Sequence, residues 1–186
     1  TRPPVTTLEA LQDKWARARG RAAVDYGLFA APQSGDDVPG LAAATALKVY
    51  MAESTGGLQI GEEALGEVLL SARDARRLVV AHAEDAREFR ASGSADLPGH
   101  ALARPEAAEV RAIRTLGRLR DETRVHVAHV TCVAALDAVP SGVTTEVTPH
   151  HLLLDCRRPL KAFGKVNPPL RPPEGRKALW AAFAAG

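Results

Sequence analysis

Apolar and polar positions along the chain follow two periods, one typical of helices and the other of buried strands. Apolar residues recur at helical spacing near residues 7–19, 62–77, 105–120 and 174–184. Shorter apolar runs that are typical of strands occupy residues 22–29, 46–51, 78–81, 124–130 and 143–148. Short helices are also predicted, one directly after the loop 32–40 and one over residues 133–139. Strands that alternate with helices predict a parallel sheet covered by helices.

This alternation predicts a single α/β domain over residues 1–186 that contains about five βα units. Periodicity alone does not separate an open doubly wound sheet from part of a (β/α)8 barrel. The chain has no Gly-x-Gly-x-x-Gly phosphate loop, which argues against a dinucleotide-binding doubly wound sheet. The positions of the polar residues favour the other architecture, a partial (β/α)8 barrel (TIM barrel).

Three predicted strands carry a potential metal-binding residue at or near their carboxyl ends. Lys48 lies within the second of these strands, His82 follows the third, and His129 closes the fourth. Alternation along a strand places each histidine on the same face as the apolar residues two and four positions before it. In a (β/α)8 barrel those faces line the interior, and the carboxyl ends of the strands hold the active site. Imidazole binds zinc-class metals well, so the pattern predicts a hydrolytic metal site.

Each of these residues also has an ordinary structural interpretation. A histidine at a strand end is more often hydrogen-bonded or solvated than bound to a metal. A buried ammonium is costly unless it is paired or modified, but Lys48 can also extend to the strand mouth and reach water. His126 alternates to the face opposite His129 and is interpreted as structural. His100 is interpreted as a surface residue without a partner.

A further polar cluster follows the last predicted strand. Pro149 predicts a turn that holds His150 and His151 over the mouth of the barrel. The segment 167–171 predicts a rigid loop that presents the amide of Asn167 and a guanidinium, groups that orient carboxylates and ring amides. Either segment taken alone is equally compatible with turn chemistry.

Composition and charge exclude several classes of function. The formal net charge is only +2 and aromatic residues make up 4% of the chain, which argues against nucleic-acid binding. No apolar run is long enough to cross a bilayer, and the first residues are not typical of a signal peptide. Cys132 and Cys156 are too few and too far apart for a disulfide framework or a zinc ribbon. These features predict a protein of the reducing cytoplasm.

Seven segments, taken together and in order, resemble dihydroorotase, a cyclic amidohydrolase of the amidohydrolase superfamily. They are residues 1–7, 47–56, 81–85, 104–109, 126–131, 145–152 and 165–171. The ordered set spans nearly the whole chain and is far more specific than any one segment. Thr-Pro-His-His and Asn-Pro-Pro-Leu-Arg favour dihydroorotase over hydantoinase and allantoinase. The resemblance implies a TIM barrel of the metal-dependent hydrolase type, of which this chain is the central part.

The resemblance also implies roles for individual residues. Lys48, carboxylated by carbon dioxide, is expected to bridge two zinc ions as a carbamate, and His82 and His129 are expected to bind the second ion. Asn167 and His151 are expected to help hold the substrate, a cyclic ureide with a carboxylate. A hydroxide activated by the metals would open or close the amide bond of the ring, which interconverts carbamoyl-aspartate and dihydroorotate in pyrimidine biosynthesis.

The chain departs from the family pattern at the first and last barrel strands. The family's first strand carries a His-x-His pair for the first metal, and no such pair occurs among the six histidines here. The family's general base is an Asp of the last strand, expected beyond residue 186, so no catalytic residue is assigned within the chain. We therefore expect residues 1–186 alone to bind metal weakly and not to turn over.

Two alternatives to a dihydroorotase stay open on these residues. One is a hydantoinase-like or allantoinase-like cyclic amidohydrolase. The other is a non-catalytic dihydroorotase-like subunit that scaffolds aspartate transcarbamoylase. Lys48, His82 and His129 argue against the scaffold because it has no need of metal ligands. The resemblance also implies a homo-oligomer, with aspartate transcarbamoylase as a candidate partner.

Overall fold

Short strands and helices alternate in the computed structural model, which describes residues 3–54 and 56–185. The strands are β1 (Phe29–Ala30), β2 (Ala46–Tyr50), β3 (Val79–His82), β4 (Val125–Val127) and β5 (Thr144–Thr145). The helices are α1 (Leu8–Ala18), α2 (Asp37–Gly40), α3 (Glu62–Asp74), α4 (Leu97–Ala103), α5 (Glu106–Leu119), α6 (Val133–Asp137), α7 (Pro149–Leu153) and α8 (Pro173–Ala185). Short 3₁₀ helices lie at Ala86–Glu88 and Lys161–Gly164.

The strands form one sheet in chain order, β1-β2-β3-β4-β5. β1 pairs with β2 in parallel, and β2 pairs with β3 in parallel, with Lys48 opposite Val80 and Tyr50 opposite His82. Neighbouring parallel strands need a crossover connection, which α3 supplies between β2 and β3. The predicted α/β fold with a parallel sheet is therefore confirmed.

The chain divides into two compact units. The first contains Thr1–His82 and Arg118–His126, and the second contains Ala83–Gly117 and Val127–Gly186. The division passes through β4, so each unit keeps its own part of the sheet. The prediction of a single domain stays a prediction.

Each unit has its own buried apolar residues. In the first unit, β3 is buried along its length, and α3 buries the residues at helical spacing, Leu65, Val68, Leu69 and Ala72. In the second unit, the ends of α4 and the segments around it pack into a cluster of Leu97, Ala101, Cys156 and Leu170. The helical and strand periods in the sequence thus mark the side chains that face the core of the first unit, whereas the cluster in the second unit comes from segments without such a period.

The predicted strand over residues 22–29 is wrong for all but its last residue. Residues 21–27 are exposed, Val24 by 77% of its surface, and the strand consists of Phe29 and Ala30 alone. An extended conformation gains little where its apolar side chains stay in water. The segment before Phe29 therefore forms turns and bends instead of a ladder.

Short helices lie where the sequence pattern did not predict them: α2 occupies the end of the predicted loop 32–40 instead of following it, and neither α4 nor α7 was predicted. In α4, the Asp96 carboxylate accepts a hydrogen bond of 2.8 Å from the backbone N–H of Gly99, and Pro98 occupies the first turn, where its missing N–H has no cost. In α7, His150 and His151 lie in a helix that begins at Pro149 rather than in the predicted turn. Helices of five to seven residues are too short to leave a clear apolar pattern.

Candidate functional site

In the first unit, Lys48, Tyr50 and His82 lie together on the neighbouring strands β2 and β3. Tyr50 pairs in register with His82, and their ring centroids are 5.8 Å apart. Lys48 lies two residues before Tyr50 and places Nζ 5.3 Å from the tyrosine ring centroid. His82 is almost fully buried, whereas Lys48 and Tyr50 are half-buried. The structure thus places two of the predicted metal-binding residues on adjacent strands around the Tyr50 ring, with Lys48 in the middle of β2 and His82 at the carboxyl end of β3.

Tyr50 is a member of this group that the sequence interpretation missed. The available signal was alternation along β2, because residues two apart share a face of a strand. Burial raises the pKa of the Tyr50 phenol, so the hydroxyl keeps its proton at neutral pH and can donate a hydrogen bond. The ring also stabilises the ammonium of Lys48 by a cation–π interaction while that lysine is unmodified.

His129 belongs to the second unit and lies two residues beyond the end of β4. The predicted strand over residues 124–130 is therefore too long, and strand alternation does not extend to His129. Its φ of 46° falls in the left-handed region, which costs a residue other than glycine about 1–2 kcal/mol. Residues kept in this conformation cluster at functional sites, so the backbone adds support to a role for His129.

The donor atoms of these residues suit a zinc-class metal. Zinc accepts imidazole nitrogen and carboxylate-like oxygen, which His82 and a carboxylated Lys48 would supply within the first unit. Among residues 3–54 and 56–185, no group of three or more His, Cys, Asp or Glu side chains is arranged to hold an ion. A ligand set that includes Lys48 is of another kind, since lysine becomes an oxygen ligand only after carboxylation.

A buried ion pair follows His82 in the chain. The Glu84 carboxylate is fully buried and accepts hydrogen bonds from Arg104, from Nε at 3.0 Å and from Nη2 at 2.6 Å. The Arg104 guanidinium also lies 4.1 Å from the centroid of the Phe89 ring. This two-point pairing holds the segment that begins at Ala83 against the start of α5.

A second buried ion pair joins Glu109 of α5 to Arg171. Both side chains are 3% exposed, and Arg171 Nη2 lies 2.5 Å from the glutamate. Thr131 completes the group, because its backbone N–H and its hydroxyl both donate to the Glu109 carboxylate, while its oxygen accepts from Arg171 Nε at 2.7 Å. Arg171 also donates to the carbonyl of Arg104 at 2.6 Å. Burial raises the pKa of Glu109, and the guanidinium opposes that rise.

This arrangement changes the interpretation of the loop 167–171. The sequence predicted that its guanidinium is presented to a ligand, but Arg171 is buried and all three of its guanidinium nitrogens bind protein groups. Arg171 therefore has a structural role. Its ion pair with Glu109 holds the end of the loop 167–171 against α5. Since Thr131 follows His129 by two residues, the same group also holds the segment on which His129 lies.

His151 is also buried, at 4% exposure, and both of its ring nitrogens are engaged within the second unit. Nε2 lies 3.0 Å from the carbonyl oxygen of Pro168, and Nδ1 lies 2.7 Å from the hydroxyl of Thr148. The same hydroxyl lies 3.0 Å from Nε2 of His150. His151 therefore reaches the loop that contains Asn167 through the main chain of Pro168.

Asn167 is half-buried and forms a hydrogen bond with His100 of α4, at 3.0 Å between the Asn167 Oδ1 and His100 Nε2 atoms. The interpretation of His100 as a surface residue without a partner is wrong. Its ring is half-buried and also lies 3.0 Å from the carbonyl oxygen of Val166. Sequence periodicity gives no signal for this contact, because the two residues are 67 positions apart.

His151 should make the protein less stable in mild acid. Burial lowers the pKa of His151 to about 4, so between about pH 6.5, the ordinary value for histidine, and pH 4 the unfolded chain binds a proton that the folded protein does not. The free energy of unfolding therefore keeps the whole contribution of neutral His151 above about pH 6.5, and it decreases as the pH falls towards 4. Chemical unfolding measured across this range should show a smaller decline for His151→Gln, whereas His126→Gln should keep the decline. An unchanged decline in His151→Gln contradicts the assignment.

Neither cysteine contributes a nucleophile at neutral pH. Cys132 and Cys156 are buried free thiols. Burial raises the pKa of Cys132 to about 12 and also raises that of Cys156. Because the thiolate is the reactive form, cysteine-based hydrolysis is not supported.

The chain is similar to dihydroorotases of Methanosarcina acetivorans and Halobacterium salinarum along almost its whole length. It is 32% identical over 204 residues to the dihydroorotase of Methanosarcina acetivorans, which covers 96% of this chain and 44% of the relative. It is 32% identical over 196 residues to the dihydroorotase of Halobacterium salinarum, which covers 100% of this chain and 46% of the relative. The chain spans less than half the length of these curated relatives.

Solved structures show the same backbone arrangement. A crystal structure of D-hydantoinase superposes with a TM-score of 0.82 at 27% identity, and the match covers 100% of this chain and 46% of that chain. No protein-family model matches the chain. None of the helices in the described part of the chain has the length and apolar character that crossing a membrane requires.

Proposed function

Because the chain belongs with the dihydroorotases among the cyclic amidohydrolases, we propose that the protein is a zinc-dependent dihydroorotase and that this chain carries part of its site. The observation that carries the proposal is the similarity to two dihydroorotases over at least 96% of the chain. The motifs around Lys48, His82, His129 and Asn167 occur within that similarity in the family's order. The reaction proposed is the reversible cyclisation of carbamoyl-aspartate to dihydroorotate in pyrimidine biosynthesis.

The proposed metal-binding residues are Lys48 as a carbamate, His82 and His129. In support, Lys48 and His82 lie together on adjacent strands, and His129 occupies a strained backbone position. Carboxylation would convert the half-buried ammonium of Lys48 into an anionic oxygen ligand, which is a kind of donor that zinc accepts. When bound, zinc supplies the Lewis acidity that activates water and polarises an amide carbonyl.

The proposed substrate-holding residues are Asn167 and His151. Asn167 is half-buried and its amide nitrogen makes no hydrogen bond to the described residues, which leaves N–H donors for a ureide or carboxylate oxygen. His151 acts on the same loop through its hydrogen bond to the Pro168 carbonyl. The general base is not assigned to a residue of this chain.

The proposal predicts metal-dependent turnover of dihydroorotate. The protein at its full encoded length, purified with zinc, should hydrolyse dihydroorotate and form it from carbamoyl-aspartate. Dialysis against a chelator should abolish turnover, and added zinc should restore it. Turnover of dihydroorotate that does not depend on metal would contradict the zinc assignment, and the absence of turnover in zinc-loaded protein would contradict the function.

A hydantoinase is the second candidate, because the D-hydantoinase structure matches the whole chain at a TM-score of 0.82. Parallel assays with hydantoin and dihydroorotate separate the two enzymes, since the favoured substrate should have the higher kcat/KM. The non-catalytic scaffold of aspartate transcarbamoylase predicts neither turnover nor bound zinc. Metal analysis of the purified protein therefore tests that alternative independently of the substrate.

We also propose that the protein is a cytoplasmic homo-oligomer in which aspartate transcarbamoylase is a candidate partner. The two buried free cysteines suit a reducing compartment, in which thiols stay unpaired. Light scattering of the purified protein, alone and mixed with aspartate transcarbamoylase, measures the mass of each assembly.

A further inference from the structure

His100 lies beside Asn167, at a position that the proposed function does not use. Asp96 caps the first turn of α4 with a hydrogen bond to Gly99, which fixes the helix on which His100 lies. From there His100 Nε2 is 3.0 Å from the carbonyl oxygen of Val166 and 3.0 Å from Oδ1 of Asn167. One imidazole nitrogen therefore serves a backbone group and a side-chain group of the same loop.

The backbone partner determines which imidazole nitrogen is protonated. A peptide carbonyl only accepts hydrogen bonds, so His100 Nε2 must carry a proton to make a favourable contact with Val166. The same proton then requires an acceptor on Asn167, which is Oδ1. In the flipped amide, two N–H donors would face the Nε2 proton and repel it. The Val166 carbonyl thus selects the tautomer of His100, and His100 in turn selects the orientation of the Asn167 amide.

A second chain of hydrogen bonds holds the other side of the same residue. The Pro168 carbonyl only accepts, so His151 donates from Nε2, and since burial keeps His151 neutral its Nδ1 accepts from the Thr148 hydroxyl. Thr148 has then used its proton and accepts from Nε2 of His150. His100 therefore donates to the carbonyl of Val166 and His151 donates to the carbonyl of Pro168, so the residues on both sides of Asn167 are restrained.

We propose that His100 is a positioning residue that holds the Asn167 carboxamide with its oxygen turned to the protein and its NH₂ group offered to the substrate. This inference rests on the proposed role of Asn167 in substrate binding. It specifies that Asn167 recognises a hydrogen-bond acceptor, a carbonyl or carboxylate oxygen of a cyclic ureide, and not a ring N–H. His100 itself touches neither the substrate nor the metal.

Loss of the His100 donor should weaken substrate binding without altering the chemical step. In full-length protein, His100→Phe should raise KM for dihydroorotate about two- to tenfold, the worth of one neutral hydrogen bond, with kcat changed by less than about twofold. His100→Gln keeps an N–H donor and should restore KM to near the wild-type value. Lys177→Ala, an exposed substitution on α8, should leave both constants unchanged.

A double-mutant cycle distinguishes positioning from a general structural role. If His100 acts through the amide, His100→Phe should add nothing to the KM of Asn167→Ala, because no amide is left to orient. Equal KM increases in the two backgrounds, or an unchanged KM in His100→Phe alone, would overturn the inference.

Ring-nitrogen NMR of the full-length protein tests the geometry without turnover. Long-range ¹H–¹⁵N spectra should show His100 as the Nε2–H tautomer, and a His100 that is Nδ1–H would overturn the proposal whatever the enzyme activity. If the Nε2–H tautomer is found but dihydroorotate is neither bound nor hydrolysed, the proposed function fails instead. The spectra also decide the matter if His100→Phe does not fold, since they need only wild-type protein.

Discussion

Arg171→Met lowers the free energy of unfolding by about 3–5 kcal/mol, because it leaves the carboxylate of Glu109 buried without its cation. Glu109 and Arg171 are both 3% exposed, so water cannot replace the missing partner. The substitution also removes hydrogen bonds to Thr131 and to the Arg104 carbonyl. Methionine fills much of the volume of the arginine stem, so the loss reflects the unpaired polar groups more than a cavity.

Equilibrium unfolding in guanidinium chloride measures this loss as a lower midpoint at an unchanged slope. The matched control is Arg157→Met, because Arg157 pairs with Glu174 at 3.3 Å while both side chains are more than 60% exposed. That control should lose less than about 1 kcal/mol. Adding Glu109→Gln to Arg171→Met should recover part of the loss, since the uncompensated charge is gone. Equal losses from Arg171→Met and Arg157→Met would refute the importance of burial.

Lys48→Ala removes the proposed bridging ligand and should lower turnover of dihydroorotate by more than about 100-fold, together with loss of bound zinc. The expectation follows from the proposed carbamate, because alanine carries no amine that carbon dioxide can modify. Lys48→Arg should fail equally, because a guanidinium stays protonated and does not form a carbamate.

Metal analysis and steady-state kinetics on the full-length protein test this prediction, with Lys177→Ala as the control for loss of a lysine in general. Mass spectrometry under native conditions should detect the carbon dioxide adduct in the wild type and not in Lys48→Ala. Full zinc content and normal turnover in Lys48→Ala would show that Lys48 is not a ligand. Folding of the variant is checked by circular dichroism, since an unfolded variant also loses metal.

The elements that the sequence predicted well are those whose pattern is local and continuous. The runs that became β2 and β3, and the apolar stripe of α3, are each set by neighbours within one element. Lys48 and His82 stood out because a polar residue interrupts or ends such a run. The structure adds that these two residues lie together around Tyr50, which follows from the parallel register of the strands.

The contacts that the sequence did not predict join residues far apart in the chain. Arg171 and Glu109 are 62 positions apart, and His100 and Asn167 are 67 apart, so no periodicity connects them. Residue type was misleading for Arg171, because an arginine in a loop between prolines suggests exposure. The left-handed backbone of His129 could not be predicted from the sequence either, since most histidines have a negative φ, whereas glycine adopts positive φ readily.

The two buried cysteines have a practical consequence for labelling. Since Cys132 has a pKa of about 12 and Cys156 is shielded by burial, maleimide reagents at neutral pH should leave both unmodified in the native chain. A cysteine placed at the exposed Phe163 should then be the one thiol that takes a fluorophore, without prior removal of the native thiols. A second cysteine at the exposed Val24, in the other unit, would carry a second fluorophore. Energy transfer between the two fluorophores would then report changes in their distance that accompany metal or ureide binding.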